Sequence, residues 1–335
     1  MTSAILGTTD GVYRLSDNAV EPLGLAGQRI SALHAWHDGT GTTVILAGSY
    51  GDGLFRSVNG GGAQWTKVDQ GLTAPAFRTI GPDPLEPETI LCGTEPARIF
   101  RSHDSGLSWQ ELAGIRALPS YEEWYLPYSP RAGAVRNIYA PPGGRRLLAS
   151  VEVGGLLDSI DGGATWSIRP VLSDPDIHHV TGHPDDPHLL FAALGWAAMR
   201  NERRGPDAPS LGGVARSRDG GRTWHKFHTD YTRATIIPPA RPDLLLAGPA
   251  KNVGEQGRIE VSSDQGDTWQ PAGAGIEHPM TDMVERFLAA PDGTVWAICA
   301  AGRLFHADPG AWQWRSPLPA GATLEVEAIA FLPRA

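Results

Sequence analysis

The sequence has few cysteines and no long hydrophobic run. Only Cys92 and Cys299 occur in 335 residues, so a network of disulfides cannot hold the fold together. They fall in predicted strands of different repeats, and we expect two buried free thiols. A membrane-spanning helix needs about 20 apolar residues, and the chain has no such run, so we expect no membrane-embedded segment.

A basic excess is also absent. The chain has 28 Lys and Arg against 37 Asp and Glu, a formal net charge of -9. Non-specific nucleic-acid binding needs a basic surface, so nucleic acid is not expected as a partner. The first residues lack the basic and apolar regions of a secretory signal, which favours a soluble cytoplasmic protein. A phosphate loop, a serine nucleophile elbow and an HExxH motif are missing too, and we predict no cofactor.

One short polar motif that ends in tryptophan occurs five times. The copies are SVNGGGAQW (57–65), SHDSGLSW (102–109), SIDGGATW (159–166), SRDGGRTW (217–224) and SSDQGDTW (262–269). Each has an Asn or Asp two residues after a Ser, where its side chain can accept backbone N–H groups across a tight turn. A glycine two residues further on supplies positive φ at little cost. The closing Trp is too large and apolar to stay in water, so we expect it to fill an interface between neighbouring repeats.

The spacing of these tryptophans gives the size and number of the repeats. Successive Trp residues of the five copies are 44, 57, 58 and 45 residues apart. This indicates a unit of about 44 residues, typical of propeller blades, with insertions at 116–133 and 195–213. Seven such units account for the whole chain, with degraded copies around Asp17 and Trp314.

Four short β runs, separated by Gly, Asp and Pro turns, fit into each unit. Residues 2–25 supply three of them, and residues 325–333 supply one more with no unit after it. We expect these two ends to pair in one blade, which removes a free sheet edge and closes the ring. The predicted fold is a single all-β domain over 1–335, a seven-bladed β-propeller of four-stranded antiparallel blades.

The motif SxDxGxTW resembles the Asp-box, or BNR, repeat of sialidases, of xyloglucanase-type glycosidases and of photosystem II assembly factor-like propellers. The resemblance implies that each copy is the hairpin between the third and fourth strands of a blade, on the face away from the active site. Sialidase-like or glycosidase-like hydrolases and assembly proteins are the functional classes it implies. One fold hosts many unrelated sites, so the motif alone does not choose between them.

Alignment of the seven first strands places a column of polar side chains at the mouth of the central channel. The column reads Ser31, Arg78, Arg136, His178, Arg233, Glu285 and Glu327. Guanidinium groups bind carboxylates or phosphates through two hydrogen bonds, so the three arginines would hold an anion, with His178 beside them. The segment FRTI at 77–80 resembles the FRIP segment of sialidases, which implies a carboxylate-binding role for Arg78, although the Pro is absent and the segment follows the first box. The alternative is a ring of Arg and Glu side chains that satisfy each other and close the channel.

A second column, at the ends of the second strands, contains Tyr50, Glu95 and Glu152. Tyr50 is a further candidate for substrate binding. Two carboxyl groups, one protonated and one ionised, could act as general acid and base on a glycosidic bond, and the candidates are Glu95, Glu152 and Glu285. Each acid is alternatively a salt-bridge partner of a neighbouring arginine.

Both insertions are expected on the mouth face, where loops held over a rigid scaffold usually carry function. Tyr121 and Trp124 in the first insertion, and Trp196 in the second, are predicted to form the walls of a binding pocket. The alternative is that both insertions are tolerated surface elaborations.

Four histidines lie close together at 177–188 and raise the question of a metal. Neighbouring residues on a strand point to opposite sides, so His178 and His179 are not expected to share a ligand set. We therefore predict no metal site, and keep a site of His178, His278 and Glu285 as an alternative.

Together these observations predict binding of an anionic or glycan-like small molecule at the channel mouth, on the face opposite the boxes. They leave open whether the protein hydrolyses this ligand, eliminates a group from it, or only binds it. One alternative is a non-catalytic interaction or assembly propeller with a protein partner. A second is a metal-dependent lyase or hydrolase at the same mouth.

Overall fold

A computed structural model describes residues 3–16, 19–59, 64–126, 129–172, 176–195, 212–228 and 230–332 of the chain. Seven antiparallel sheets of these residues form the blades, an eighth sheet is a two-stranded hairpin, and the predicted seven-bladed propeller is confirmed. The strands of blades one to three are β1 (Ala4–Thr8), β2 (Gly11–Ser16), β3 (Ala19–Gly24), β4 (Ile30–His37), β5 (Thr43–Ser49), β6 (Leu54–Val58), β7 (Thr66–Lys67), β8 (Ala76–Pro82), β9 (Ile90–Glu95), β10 (Ile99–Ser102) and β11 (Gln110–Glu111).

A connection between blades three and four follows. It contains two short 3-10 helices, at Ala113–Ile115 and Tyr121–Glu123, and a hairpin of β12 (Tyr125–Leu126) and β13 (Ser129–Ala132). The strands of blades four and five are β14 (Ala134–Tyr139), β15 (Leu147–Glu152), β16 (Gly155–Ser159), β17 (Ser167–Arg169), β18 (Ile177–His183), β19 (Asp186–Leu194), β20 (Gly213–Ser217) and β21 (His225–His228).

Blades six and seven complete the ring and lead back to the first blade. Their strands are β22 (Tyr231–Ile236), β23 (Leu245–Asn252), β24 (Glu255–Gly257), β25 (Glu260–Ser262), β26 (Gln270–Pro271), β27 (Val284–Ala289), β28 (Val295–Cys299) and β29 (Leu304–Ala307). In blade seven, an isolated bridge between His306 and Arg315 takes the place of a fourth strand. The last strand is β30 (Val326–Phe331).

The two ends of the chain meet in blade one. Its strand order is β3, β2, β1 and β30, and β30 runs antiparallel to β1 with Ala4 opposite Phe331. The predicted closure of the ring is therefore confirmed. Pairing the first and last strands gives β1 a partner on both sides and leaves no gap between blades seven and one.

The hydrophobic core is distributed between neighbouring blades. Between blades two and three, for example, Leu46 packs in one cluster with Phe77, Ile80 and Trp109. A Cβ atom added to Gly48 would lie 2.5 Å from Cβ of Phe77, so the blades approach too closely there for any larger residue. Burial of each large apolar side chain contributes about 1.5–3 kcal/mol.

The tryptophans that close the box motif join each blade to the one before it. Trp65 Nε1 donates to the carbonyl oxygen of Leu23 in blade one at 2.9 Å. Trp314 Nε1 donates to the carbonyl oxygen of Ala272 in blade six at 2.7 Å. These contacts confirm the interface position expected for the tryptophans, including the one in the degraded seventh copy.

Hydrogen bonds within the hairpin hold together each box that the structure describes in full. In the copy at 159–166, Gly163 N donates to Ser159 Oγ at 2.8 Å, and Thr165 N donates to Asp161 Oδ1 at 2.9 Å. Gly163 has φ 95°, the conformation for which the glycine was predicted. The side-chain and backbone hydrogen bonds from Thr165 lower the pKa of Asp161 to about 2. The box is a local structure that the sequence alone encodes.

The aromatic residues of the first insertion lie in the interior. Tyr121 and Trp124 are 6% and 5% exposed and belong to the core cluster between blades three and four, with Val135 and Val151. Their rings meet edge to face at 5.2 Å between centroids. Their position corrects the expectation of pocket walls, because burial between the blades keeps both rings out of the channel cavities.

Both thiols are free and buried, as expected. Burial raises the pKa of Cys299 to about 12. Among the described residues, no helix combines the length and the apolar character needed to cross a bilayer. Trp196 and most of the second insertion lie outside the described residues, so the pocket-wall prediction for Trp196 stays a prediction.

Candidate functional site

Every first strand has a β-bulge near its beginning, and the residue left out of the ladder is the mouth residue predicted from the sequence. The residues skipped by the register are Ser31, Arg78, Arg136, His178, Arg233 (with Ala234), Glu285 and Glu327. A bulge breaks the alternation of side chains along a strand and turns one of them in a new direction. Seven bulges at equivalent positions therefore present these side chains to one opening.

Two adjoining cavities fill this part of the channel. The outer one, of about 170 Å³, is lined by Ser31, Arg78, Arg136, Arg233, Glu285 and Glu327. The inner one, of about 190 Å³, is lined among others by His178, His179 and Asn137. Arg136, Arg233, Glu285 and Arg286 border both. The column found by aligning the strands is thus a common rim around one channel.

Glu285 lies between two arginines of other blades. Arg233 Nη1 donates to its Oε2 at 2.7 Å, and Arg136 Nη2 donates to its Oε1. Burial opposes ionisation of this carboxyl group, but Arg233 and Arg136 outweigh burial and hold the pKa of Glu285 well below its usual range. Glu285 is therefore an ionised structural partner of both guanidinium groups.

The other two candidate acids contact the third arginine of the rim. Arg78 Nη1 is 3.9 Å from Glu95 Oε2, and Arg78 Nη2 is 3.9 Å from Glu152 Oε2. Arg136 Nη1 approaches the same Glu152 oxygen to 3.3 Å. The Tyr50 hydroxyl donates to Glu95 Oε2 at 3.0 Å. Burial, followed by the charge of Glu95, raises the pKa of Tyr50 to about 12, so its hydroxyl remains a donor at neutral pH.

Arg78 is the least engaged of the three predicted arginines. Both of its ion-pair contacts are longer than a hydrogen bond, and its side chain is 14% exposed at the outer cavity. Its guanidinium carbon lies 5.2 Å from the ring centre of Tyr50, which places the group over the ring face. Within the described residues, its side chain donates no hydrogen bond. Arg78 can therefore donate hydrogen bonds to an oxygen of a ligand.

Three residues of the channel were missed by sequence analysis. Asp176 Oδ1 lies 3.3 Å from His178 Nε2, and the Tyr231 hydroxyl lies 3.3 Å from the same nitrogen. Arg286, which borders both cavities, donates to the carbonyl oxygen of Arg78 at 2.9 Å. Asp176 and Tyr231 precede the aligned strand positions, and Arg286 follows Glu285 directly. All three lie within two positions of a predicted residue, which is the signal that could have found them.

His278 was predicted as one ligand of an alternative metal site. His278 is exposed and Glu285 is committed to two arginines, so the alternative set of His178, His278 and Glu285 is not brought together. Among the described residues, the metal-ligating side chains that do converge are Glu152, Asp176 and His178, with one ligand atom of each within 4.8 Å of the others.

Comparison with known proteins agrees with this architecture. The family model described as the BNR/Asp-box repeat matches residues 215–226, which contain the fourth full copy of the motif. The chain is a seven-bladed propeller that carries Asp-box repeats. The resemblance inferred from the SxDxGxTW motif is thereby confirmed.

Proteins similar to this chain in sequence or fold include an assembly protein and an enzyme. Photosystem II assembly protein Ycf48 of Synechococcus sp. (strain JA-2-3B'a(2-13)) is 26% identical over 245 residues, which are 69% of this chain and 59% of that protein. The match thus spans less than two thirds of the relative. A structure of YCF48 bound to D1 peptide has TM-score 0.57 and 16% identity, covering 92% of this chain and 94% of that one. The GH74 enzyme of Niastella koreensis has TM-score 0.61 and 16% identity, covering 98% of this chain and 51% of that one. At these identities the structural likeness establishes the fold.

The chemistry available at the mouth of this Asp-box propeller follows from its charge pairs. A glycosidase needs one carboxyl group that keeps its proton near neutral pH, which requires a raised pKa. Glu285 has the opposite shift because two arginines stabilise its ionised form. An arginine rim with paired carboxylates is better suited to holding an anion than to donating a proton.

Proposed function

We propose that this Asp-box propeller is a binding module that captures a carboxylate group of a peptide segment at the channel mouth, without catalysing a reaction on it. The observation that carries the proposal is the state of Arg78. Its guanidinium lies at the outer cavity, over the face of Tyr50, with both carboxylate neighbours at 3.9 Å. A ligand carboxylate that approaches to hydrogen-bond distance would be a better partner than either of them.

The size of the outer cavity supports recognition of a group rather than of a whole ligand. Pockets that enclose drug-sized molecules usually measure about 300–1,000 Å³. The outer cavity measures about 170 Å³. We infer that a carboxylate enters the cavity while the rest of the ligand lies across the open face of the propeller.

The charge pairs argue against a catalytic role for the predicted acids. Glu285 is ionised and bound by Arg136 and Arg233, so it has no proton to donate to a leaving group. Glu95 and Glu152 share the guanidinium groups of Arg78 and Arg136. This arrangement holds six charged side chains in place and gives the rim a fixed shape before a ligand arrives.

A peptide is the ligand class favoured by the relatives. One neighbour of the same fold is described as bound to a peptide, and the curated relative is named as an assembly protein. An anionic group on a protein partner also unites the two readings of the sequence, namely an anion site and an interaction propeller. The hypothesis of a glycan ligand is supported by the similarity of fold to a GH74 enzyme.

The proposal is tested with an array of short peptides in matched forms. Each peptide is made with a free or an amidated C-terminus and with Glu or Gln at one internal position, and dissociation constants are measured by fluorescence anisotropy. We expect carboxylate forms to bind better than their neutral counterparts, and Arg78→Gln to weaken binding about 10- to 150-fold. A hydrogen bond to a charged partner contributes about 1.5–3 kcal/mol, which corresponds to that range.

Arg315→Gln is the matched control. Arg315 also forms a loose ion pair, 3.9 Å from Asp308, but it lies at the outer edge of blade seven and away from the channel. Equal affinity of the wild type and Arg78→Gln for every peptide would overturn the carboxylate site. Tighter binding of acidic sugars than of peptides would move the ligand class to glycans, and release of product from a glycan would contradict the non-catalytic role.

A further inference from the structure

We propose that Glu152, Asp176 and His178 form a binding site for a divalent transition-metal cation of the Zn²⁺ or Mn²⁺ type in the wall of the channel. The site adjoins the carboxylate site at Arg78, because Glu152 contacts Arg78 as well, and it differs from the metal set that the sequence suggested. It joins the end of β15 in blade four to the beginning of β18 in blade five.

The three ligand atoms are close to the positions that a cation requires. One ligand atom from each side chain lies within 4.8 Å of the other two. His178 Nε2 is 3.3 Å from Asp176 Oδ1. Neighbouring ligands of a cation with bonds of about 2.0–2.2 Å are about 3.0–3.5 Å apart, so this pair already has the spacing of two ligands on one ion.

The site is buried and its side chains are held by their surroundings. Glu152, Asp176 and His178 are 5%, 4% and 3% exposed. The bulge in β18 turns His178 into the channel. Arg136 Nη1 contacts Glu152 Oε2 at 3.3 Å. Such an outer contact orients a ligand in a metal site.

Gly195 leaves open the space between two of the ligands. A Cβ atom at this position would lie 2.3 Å from Asp176 Oδ2 and 2.4 Å from His178 Nε2. Gly195 does not adopt the left-handed conformation that would itself favour glycine. The absence of a side chain at position 195 therefore leaves room for a ligand beside Asp176 and His178. Gly195→Ala offers a way to block the site while all three ligands remain.

The donor set determines the class of cation. One imidazole nitrogen and two carboxylate oxygens suit Zn²⁺, Mn²⁺, Fe²⁺ or Co²⁺. Mg²⁺ and Ca²⁺ prefer all-oxygen sites with six or more ligands, so both should bind far more weakly here.

The experiment uses the full-length, tag-free protein after treatment with a chelator. Co²⁺ is titrated first, because the visible absorption of the bound ion reports coordination by nitrogen and oxygen ligands, and Zn²⁺ and Mn²⁺ are titrated by calorimetry. We expect one saturable site per chain and an increase in Tm with each of these ions. Asp176→Asn should weaken binding by more than the 10- to 100-fold typical of losing an outer contact, and Gly195→Ala should weaken it as well.

His278→Asn is the matched control, because His278 is an exposed histidine that is not one of the three proposed ligands. It should leave affinity and the Co²⁺ spectrum unchanged. Crystals grown with Zn²⁺ give a second measurement that needs no variant, since an anomalous peak between the three side chains locates the ion. No saturable binding to the folded wild type, an equal loss in His278→Asn and Asp176→Asn, or a peak elsewhere would overturn the proposal. The three side chains would then be structural contacts that hold blade four to blade five.

Discussion

The box hairpins and the channel mouth lie on opposite faces of the propeller, and they are built on opposite principles. Strands alternate in direction within a blade, so the mouth contains the beginnings of the first strands, whereas the boxes follow the ends of the third strands. In a box, Asp161 binds the backbone of Thr165, four residues away. At the mouth, Arg136 binds Glu285, which is 149 residues away.

The comparison separates repeated structure from structure that occurs once. Box residues recur because each hairpin contains the same tight turn, whose backbone N–H groups need side-chain acceptors. The rim has a different side chain in nearly every blade, while the bulge that presents it recurs in all seven. The scaffold is thus uniform, and the asymmetry needed for recognition resides in the bulged residues.

The largest effect should come from breaking the rim at its centre. Glu285→Gln leaves Arg136 and Arg233 without their shared carboxylate, and we expect a loss of about 3–5 kcal/mol in the free energy of unfolding, measured by denaturant titration. The control is Asp243→Asn, which removes an exposed ion pair with Arg241 and should leave the free energy of unfolding nearly unchanged. Similar losses for the two variants would show that the rim is no more important for stability than a surface pair.

The boxes should show a smaller and strictly local effect. Ser159→Ala leaves Gly163 N without its acceptor, and Ser217→Ala does the same to Gly221 N, so each should cost about 1–3 kcal/mol. Because the two boxes share no partner, the double variant should equal the sum within about 0.5 kcal/mol. In contrast, Arg136→Gln combined with Glu285→Gln should deviate from additivity by about 0.5–3 kcal/mol. Additive behaviour at the rim, or coupling between the boxes, would contradict the comparison.

The smallest effect should be a difference in acid sensitivity. The pKa of Glu285 in the folded protein lies below its usual value of 4.5, so the stability from this group is fully present above about pH 5 and is lost as pH falls toward the folded pKa. Glu285→Gln lacks this contribution. The difference in Tm between wild type and variant should therefore narrow from pH 6 to pH 3, as measured by thermal unfolding. A constant difference across this range would mean that Glu285 is not ionised by its arginines.

The fold could be predicted from the sequence in considerable detail. The spacing of five tryptophans gave the seven blades, and the unmatched runs at 2–25 and 325–333 gave the closure between β1 and β30. These features are periodic, and every repeat confirms the others. The aromatic residues Tyr121 and Trp124 escaped prediction because an insertion has no counterpart in other blades to show whether it packs inward.

The sequence predicted which residues form the rim of the candidate site, but it did not predict how their charges interact. Alignment found the rim because a common strand position in a radially symmetric ring is a common position in space. It could not show that Glu285 is held between Arg136 and Arg233 while Arg78 is left with contacts at 3.9 Å. Asp176, which lies before β18, had no column to mark it.

The sequence by itself determined the elements that depend on neighbours along the chain: the box hairpins, the strand alternation, the repeat length and the number of blades. Only the tertiary structure decided which charges at the rim neutralise each other, and which three ligating side chains converge beside Gly195. The physical reason is distance. Hydrogen bonds inside a hairpin are fixed by a few dihedral angles, whereas electrostatic pairing across the channel depends on separations of a few ångströms between residues brought together only when the ring closes.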